Sequence, residues 1–286
     1  MTSLTLSNPS TRVEIVPAEG GRVQHLVDLH SSRELLYQQP PLPGPIPRED
    51  FMTGCPGGWD EMFPNDTPWG GHPDHGRVWS TQFNVLRCDD SAAQLRARLQ
   101  QPAVTVERTY TLLPPPRRGL RIETNLRADA DSGPFLWASH PMLSVCPGWL
   151  VETGAEELIA DAEAPGRFSA GARIAAVPPV PDPGQGWSEV LYASGTAEAS
   201  VGSPDGNGRT RLTWSPDFLR HLWIVTVTGA FGLDLCLLFE PCTTRPYRLA
   251  EAIVAGEAAD LGMGESREWW VEIESLDRIP EAVGEI

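Results

Sequence analysis

The stretch "LRIETNLRA" (residues 120–128) decides the fold class. Leu120, Ile122, Thr124 and Leu126 alternate with Arg121, Glu123 and Asn125. A period of two puts the first set on one face of an extended chain and the second on the other, which is a strand with one face on a core and one in water. The stretch "LDLCLLFE" (233–240) is more continuously apolar, the pattern of a strand covered on both faces. Working outward, strand-like runs recur at 13–16, 23–29, 93–99, 105–112, 135–145, 210–214, 222–227 and 267–273. Helical patterning is scarce. "YRLAEAIVAGE" (247–257) is the best case, following Pro246 and ended by Gly256. With 28 prolines and 27 glycines spread through 286 residues, turns are frequent. The expectation is all-β: a large antiparallel β-sandwich with few short helices, formed as a single domain over residues 1–286. The linker-like "PPVPDPGQG" (178–186) reads as a long loop, because the strands on either side have the same character.

Charge and composition narrow the chemistry. A formal net charge of -16 argues against nucleic acid and anionic membrane surfaces as partners. Every basic residue is arginine, so a Schiff-base lysine mechanism is excluded. Five scattered cysteines without a CxxC pair suit free thiols in a reducing cytoplasm. The first residues, "MTSLTLSNPSTRVEIV", lack the pattern of a signal peptide, and no apolar run approaches the roughly 20 residues of a membrane span. The expected location is cytoplasmic.

Three stretches do not read as plain strand: 40–47, 53–80 and 147–166. Long irregular loops on a β scaffold are where function concentrates. The second holds "GHPDHGRVWS" (71–80), with His72 and His75 spaced H-x-x-H. Its glycines and Pro73 exclude a helix that would align the two rings, and residues 79–84 lack the carboxylate of a cupin metal site. There is also no G-x-S-x-G elbow, no P-loop and no G-x-G-x-x-G opening a helix. Acid/base chemistry is left. His75 lies in the turn-rich loop, His140 inside the apolar "FLWASHPML" (135–143), and Glu240 at the end of an apolar strand before Pro241. Desolvation at such a strand end raises a carboxylate towards a useful base, and a neighbouring histidine is the complementary acid. Trp59, Trp69 and Trp187 sit in polar, loop-like contexts suited to stacking on a ligand, whereas Trp137, Trp214, Trp223, Trp269 and Trp270 read as core.

Together these segments resemble the aldose 1-epimerase, or galactose mutarotase-like, family. "VEIVPAEGGRVQHLVDLHSSRELLY" (13–37) is similar to the family's opening, and "GGWDEMFPND" (57–66) with "HPDHGRVWS" (72–80) to its loop. "FLWASHPML" resembles the strand with the second family histidine, "LCLLFEPCTTRPYRLAEAI" (235–253) the strand with the glutamate, and "LGMGESREWWVEIE" (261–274) the closing turn and strand. The resemblance runs from about residue 13 to 273 and implies a galactose mutarotase-like supersandwich with a sugar groove, no cofactor and no metal. It further implies an enzyme that interconverts the α and β anomers of an aldose. Glu240 takes the base role, His140 the acid role, and His75 polarises the ring oxygen or holds a hydroxyl. Asp60, Trp59, Arg77, Trp187 and His72 are the candidate sugar contacts.

Two departures stand out. The segment expected to hold a sugar-binding aspartate reads "GQGWSEVLY" (184–192), with Glu189 in its place and Asp182 or Asp205 as other candidates. The arginine that precedes the two glycines in relatives acting on hexose 6-phosphates is absent from "TGCPGG" (53–58), which argues against a phosphorylated substrate. The competing readings are a non-catalytic carbohydrate-binding protein on the same fold and a metal-dependent cupin-like enzyme.

Overall fold

Residues 119–128 form one strand whose burial alternates as its sequence does. Leu120, Ile122, Thr124 and Leu126 are buried while Arg121, Glu123 and Asn125 are not. The computed structural model describes residues 3–39, 51 and 57–276. The proline-rich 40–47, Cys55 and the rest of the 53–56 approach to the two glycines fall outside the described residues.

In chain order the strands are β1 Leu4–Ser7, β2 Thr11–Val16, β3 Arg22–Asp28, β4 Arg33–Glu34, β5 Trp59–Met62 and β6 Asn84–Cys88. There follow β7 Ala92–Gln100, β8 Ala103–Leu112, β9 Gly119–Ala128, β10 Ala138–Leu143, β11 Leu150–Thr153 and β12 Glu157–Pro165. The last six are β13 Trp187–Ser194, β14 Glu198–Gly202, β15 Thr210–Trp214, β16 His221–Thr228, β17 Leu235–Cys242 and β18 Ser266–Ser275. A short helix, α1 (Leu249–Ala255), ends at Gly256 with φ 70°, a left-handed turn that glycine adopts without steric cost.

The strands form two antiparallel sheets. One has ten strands in the order β1-β2-β3-β5-β10-β17-β16-β13-β12, with β4 beside β3. The other has eight, in the order β11-β14-β15-β18-β9-β8-β7-β6. Their facing sides share one apolar core, with Trp59, Leu191, Ile224 and Phe239 from the larger sheet meeting Leu95, Val106, Ile122 and Trp269 from the smaller. This is the expected antiparallel sandwich, and each such side chain contributes about 1.5–3 kcal/mol on burial. Among the described residues no helix is long and apolar enough to cross a membrane.

Two features differ from the sequence expectation. The 53–80 and 147–166 stretches contain strands β5, β11 and β12. In β5 all four residues of "WDEM" are buried, so Asp60 and Glu61 hide the alternation that marks a strand. Glu240 also lies inside β17, which continues through Pro241 to Cys242.

Polar ties between the sheets hold β5 in place. Arg108 on β8 pairs with Glu61 at 2.5 Å and donates to the Gly20 carbonyl at 3.2 Å, with no exposed surface of its own. Trp137 Nε1 donates to the other Glu61 oxygen at 2.8 Å. Burial still pushes the Glu61 carboxyl up to about 7, against the pull of Arg108.

Candidate active site

Cross-strand register assembles the site. His140 on β10 is paired with Asp60 on β5. Trp223 on β16 is paired with Glu240 on β17, and Tyr192 on β13 with Trp223. The register that joins Ala138 to Cys242 and Met142 to Leu238 sets His140 opposite Glu240. Asp60, His140, Glu240, Trp223 and Tyr192 therefore make one row across five neighbouring strands. Two residues further along, Met142, Leu238, Val225 and Val190 make the next row on the same face. Alternation turns this face away from the smaller sheet. It floors a cavity of about 580 Å³ that His75, His140, Glu240, Asp66, Asp74 and Phe231 also line.

Within the row, His140 Nδ1 lies 2.8 Å from Asp60 Oδ1 and His140 Nε2 lies 3.7 Å from Glu240 Oε1. All three residues are buried, Glu240 being 3% exposed. Burial drives the Glu240 carboxyl up to about 8, opposed by His140 and assisted by Asp66 and Asp60. Burial alone would lower the His140 ring. The carboxylates of Asp60, Glu240 and Asp66 outweigh it and raise the ring to about 9. Two titratable groups are thus pushed towards neutral and alkaline pH in one cleft, an arrangement that suits acid/base chemistry.

His75 arrives from the loop between β5 and the 3-10 turn at Val78–Ser80. Asn65 staples this loop, its Nδ2 donating to the Thr67 carbonyl at 2.8 Å and the Pro73 carbonyl at 2.7 Å. His75 sits at φ 58° and Gly76 at φ 64°. A Cβ on Gly76 would lie 1.9 Å from the Phe63 carbonyl oxygen, so only glycine lets the loop close against β5. The His75 ring stacks on Phe51 with centroids 3.8 Å apart and meets His140 edge-on at 5.3 Å. Its Nδ1 is 3.3 Å from Asp74 Oδ2, and its Nε2 is 4.0 Å from Asp66 Oδ1. Burial raises Asp66 to about 6, with His75 opposing and Asp74 assisting.

The structure brings His75, His140 and Glu240 together and places Asp60 directly behind His140. It separates the other candidates from the cavity. Trp59 is fully buried in the core between the sheets, its Nε1 donating to Ser139 Oγ at 2.7 Å, because β5 alternates and Trp59 faces opposite to Asp60. Glu189 points to the face opposite the cavity-lining Ser188 and Val190, where Arg167 grips both its oxygens. Trp187 packs under the Arg167 guanidinium, and its Nε1 donates to Gln185. His72 forms a tight turn with Trp69, and Arg77 is exposed, its backbone N–H bonded to Phe63. None of these five is among the residues that line the cavity. The H-x-x-H pair is split for the same reason, since His75 faces the cavity and His72 does not. Asp205 closes its own surface turn with Asn207, and Asp182 uses its carbonyl to accept from Thr228.

Sequence reasoning missed Asp66, Phe51, Phe231 and the cavity-facing side of Trp223. Phe231 carried a signal. It is a large apolar residue in "GAFG", and it stands 58% exposed at φ 54° on the rim. Asp66 had none beyond its place in a polar loop.

No family model and no curated protein matches the chain. Solved structures do. A protein from Synechocystis sp. is similar at 20% identity with a TM-score of 0.71, over 96% of this chain and 95% of that one. A putative aldose 1-epimerase from Escherichia coli is similar at 17% identity and 0.70, over 96% and 98%. A galactose mutarotase-like protein from Lactobacillus casei is similar at 17% and 0.67, over 96% and 99%. The chain therefore has the galactose mutarotase-like fold.

Proposed function

We propose that this chain, on its galactose mutarotase-like fold, interconverts the α and β anomers of an aldose by paired acid/base action of Glu240 and His140. The observation that carries the reading is their placement. The two groups stand opposite one another on neighbouring strands, 3.7 Å apart, at the floor of a cavity with room for a monosaccharide. Anomer exchange needs one base for the C1 hydroxyl proton and one acid for the ring oxygen, and those two oxygens share a carbon. Groups this close reach both at once.

In this reading Glu240 takes the proton from the C1 hydroxyl while His140 Nε2 gives one to the ring oxygen. The C1–O bond of the ring breaks and the open aldehyde forms. Rotation about C1–C2 presents its other face, and the two proton transfers reverse. Each group ends as it began, without a nucleophile or redox step. His75 reaches the sugar from the loop side, its ring held by Phe51. Asp66 and Asp74 line the same wall and suit hydroxyl donors. A wall of carboxylates around Glu240 repels anions, which favours an uncharged aldose over a phosphorylated one.

Anomer exchange measured by NMR saturation transfer tests the proposal with a panel of neutral aldoses, hexose 6-phosphates and uronic acids. Acceleration over buffer is expected with at least one neutral aldose. Binding of an aldose with no acceleration for any of the panel would move the chain to a sugar-binding role.

A further inference from the structure

Four titratable groups approach His140. Asp60 comes from β5 at 2.8 Å, Glu240 from β17 at 3.7 Å, and Asp66 and His75 from the loop above. Of these, Asp60 alone touches Nδ1 and does not line the cavity. Its place is fixed by register rather than by chance of side-chain reach. β5 and β10 pair residue for residue, with Asp60 opposite His140 and Glu61 opposite Ser139. Behind them Glu61 is tied to Arg108, Trp137 and Ser139 in the core, so the backbone that carries Asp60 is clamped from the far side.

We infer that Asp60 is the positioning residue of His140: its carboxylate accepts the Nδ1–H bond and thereby leaves Nε2 as the proton-donating atom that faces Glu240 and the cavity. This rests on the reading of His140 as the acid of anomer exchange and deepens it. A buried carboxylate behind an imidazole both selects the tautomer and stabilises the charged ring. Without it either nitrogen carries the proton in the neutral ring, and the charged ring loses its nearest counter-charge. The elevation of His140 to about 9 has Asp60 as the leading charge that opposes burial. During turnover the Nε2–H bond breaks, its electron pair stays on the ring, and the proton forms the new O–H bond of the opened sugar. Asp60 accepts the Nδ1–H bond throughout.

Asp60→Asn is the test, because the amide keeps the shape and the acceptor oxygen but removes the charge. Two readouts are followed. The first is the titration of the His140 ring by 15N-resolved NMR, assigned against His140→Gln. The second is the pH dependence of kcat/KM for anomer exchange. In the wild type the His140 ring is expected to stay protonated to about pH 9, with Nδ1 bearing a hydrogen-bonded proton. In Asp60→Asn the titration is expected to fall by a unit or more, and the alkaline limb of kcat/KM to move down with it. A wild-type His140 that titrates at the ordinary imidazole value overturns the inference, as does an Asp60→Asn titration unchanged from wild type. A loss of rate equal at every pH, with the limb unmoved, also overturns it and marks Asp60 as structural. A protein that exchanges no aldose defeats the function proposed above, yet its His140 titration still decides the pairing.

Discussion

His140 Nε2 stands 3.7 Å from Glu240 Oε1, slightly beyond hydrogen-bond range, with both side chains largely buried at the cavity floor. The gap matters. Had the two groups bonded to each other, each would satisfy the other and neither would be free for substrate. As it is, both side chains line the same cavity.

The pH profile follows from this pair. Glu240 must be ionised to act as a base and His140 protonated to act as an acid. Their values of about 8 and about 9 predict a bell-shaped kcat/KM with its maximum on the alkaline side of neutrality. Initial rates from pH 5 to 10 check this. A maximum at pH 6 or below contradicts it.

Stability runs the other way. The folded state holds the Glu240 proton to about 8, whereas an unfolded glutamate releases it near 4.5. The folded protein binds more protons across that window, so stability falls as pH rises through it. His140, raised from 6.5 to about 9, adds stability below its unfolded value that is lost as pH climbs to 9. Glu240→Gln removes the buried acid's share. Its melting temperature is expected to match wild type near pH 5 and to exceed it by on the order of a few degrees at pH 8–9. Thermal melts across pH read this directly.

Gly76→Ala is expected to cost roughly 2–4 kcal/mol, from backbone strain at a positive φ and overlap with the Phe63 carbonyl. Because His75 precedes it, the residual folded protein should also show a raised KM. Denaturant titration with steady-state rates separates the two effects.

Phe231 combines an exposed aromatic ring on the cavity rim with a strained left-handed backbone. Phe231→Gly should raise stability by about 1 kcal/mol through relief of that strain. It should also weaken sugar binding by roughly 2–10-fold, with kcat near wild type. Melts together with KM test both halves.

The fold was legible because apolar alternation is a direct imprint of one buried face. All ten strand-like runs overlap strands, and the helix at 247–257 differs from α1 by two residues at each end. His75, His140 and Glu240 were legible as polar residues out of place among apolar or turn-forming neighbours. What failed was facing. Trp59 and Glu189 occupy the right segments but the wrong side of their strands, and a single-residue change of parity moves a side chain from cavity to core. Parity could not be set in β5, where "WDEM" is buried on both faces. Asp66 is built into the cavity by loop closure through Asn65, a long-range arrangement that leaves no periodic trace.

The base role of Glu240 is read most directly by anomer exchange in wild type and Glu240→Gln on the same aldose, with sugar affinity measured alongside. The amide keeps the shape of the side chain but takes no proton. Glu240→Gln is expected to lower kcat by about 10²–10⁴-fold with affinity changed little. Equal rates in the two proteins would contradict it.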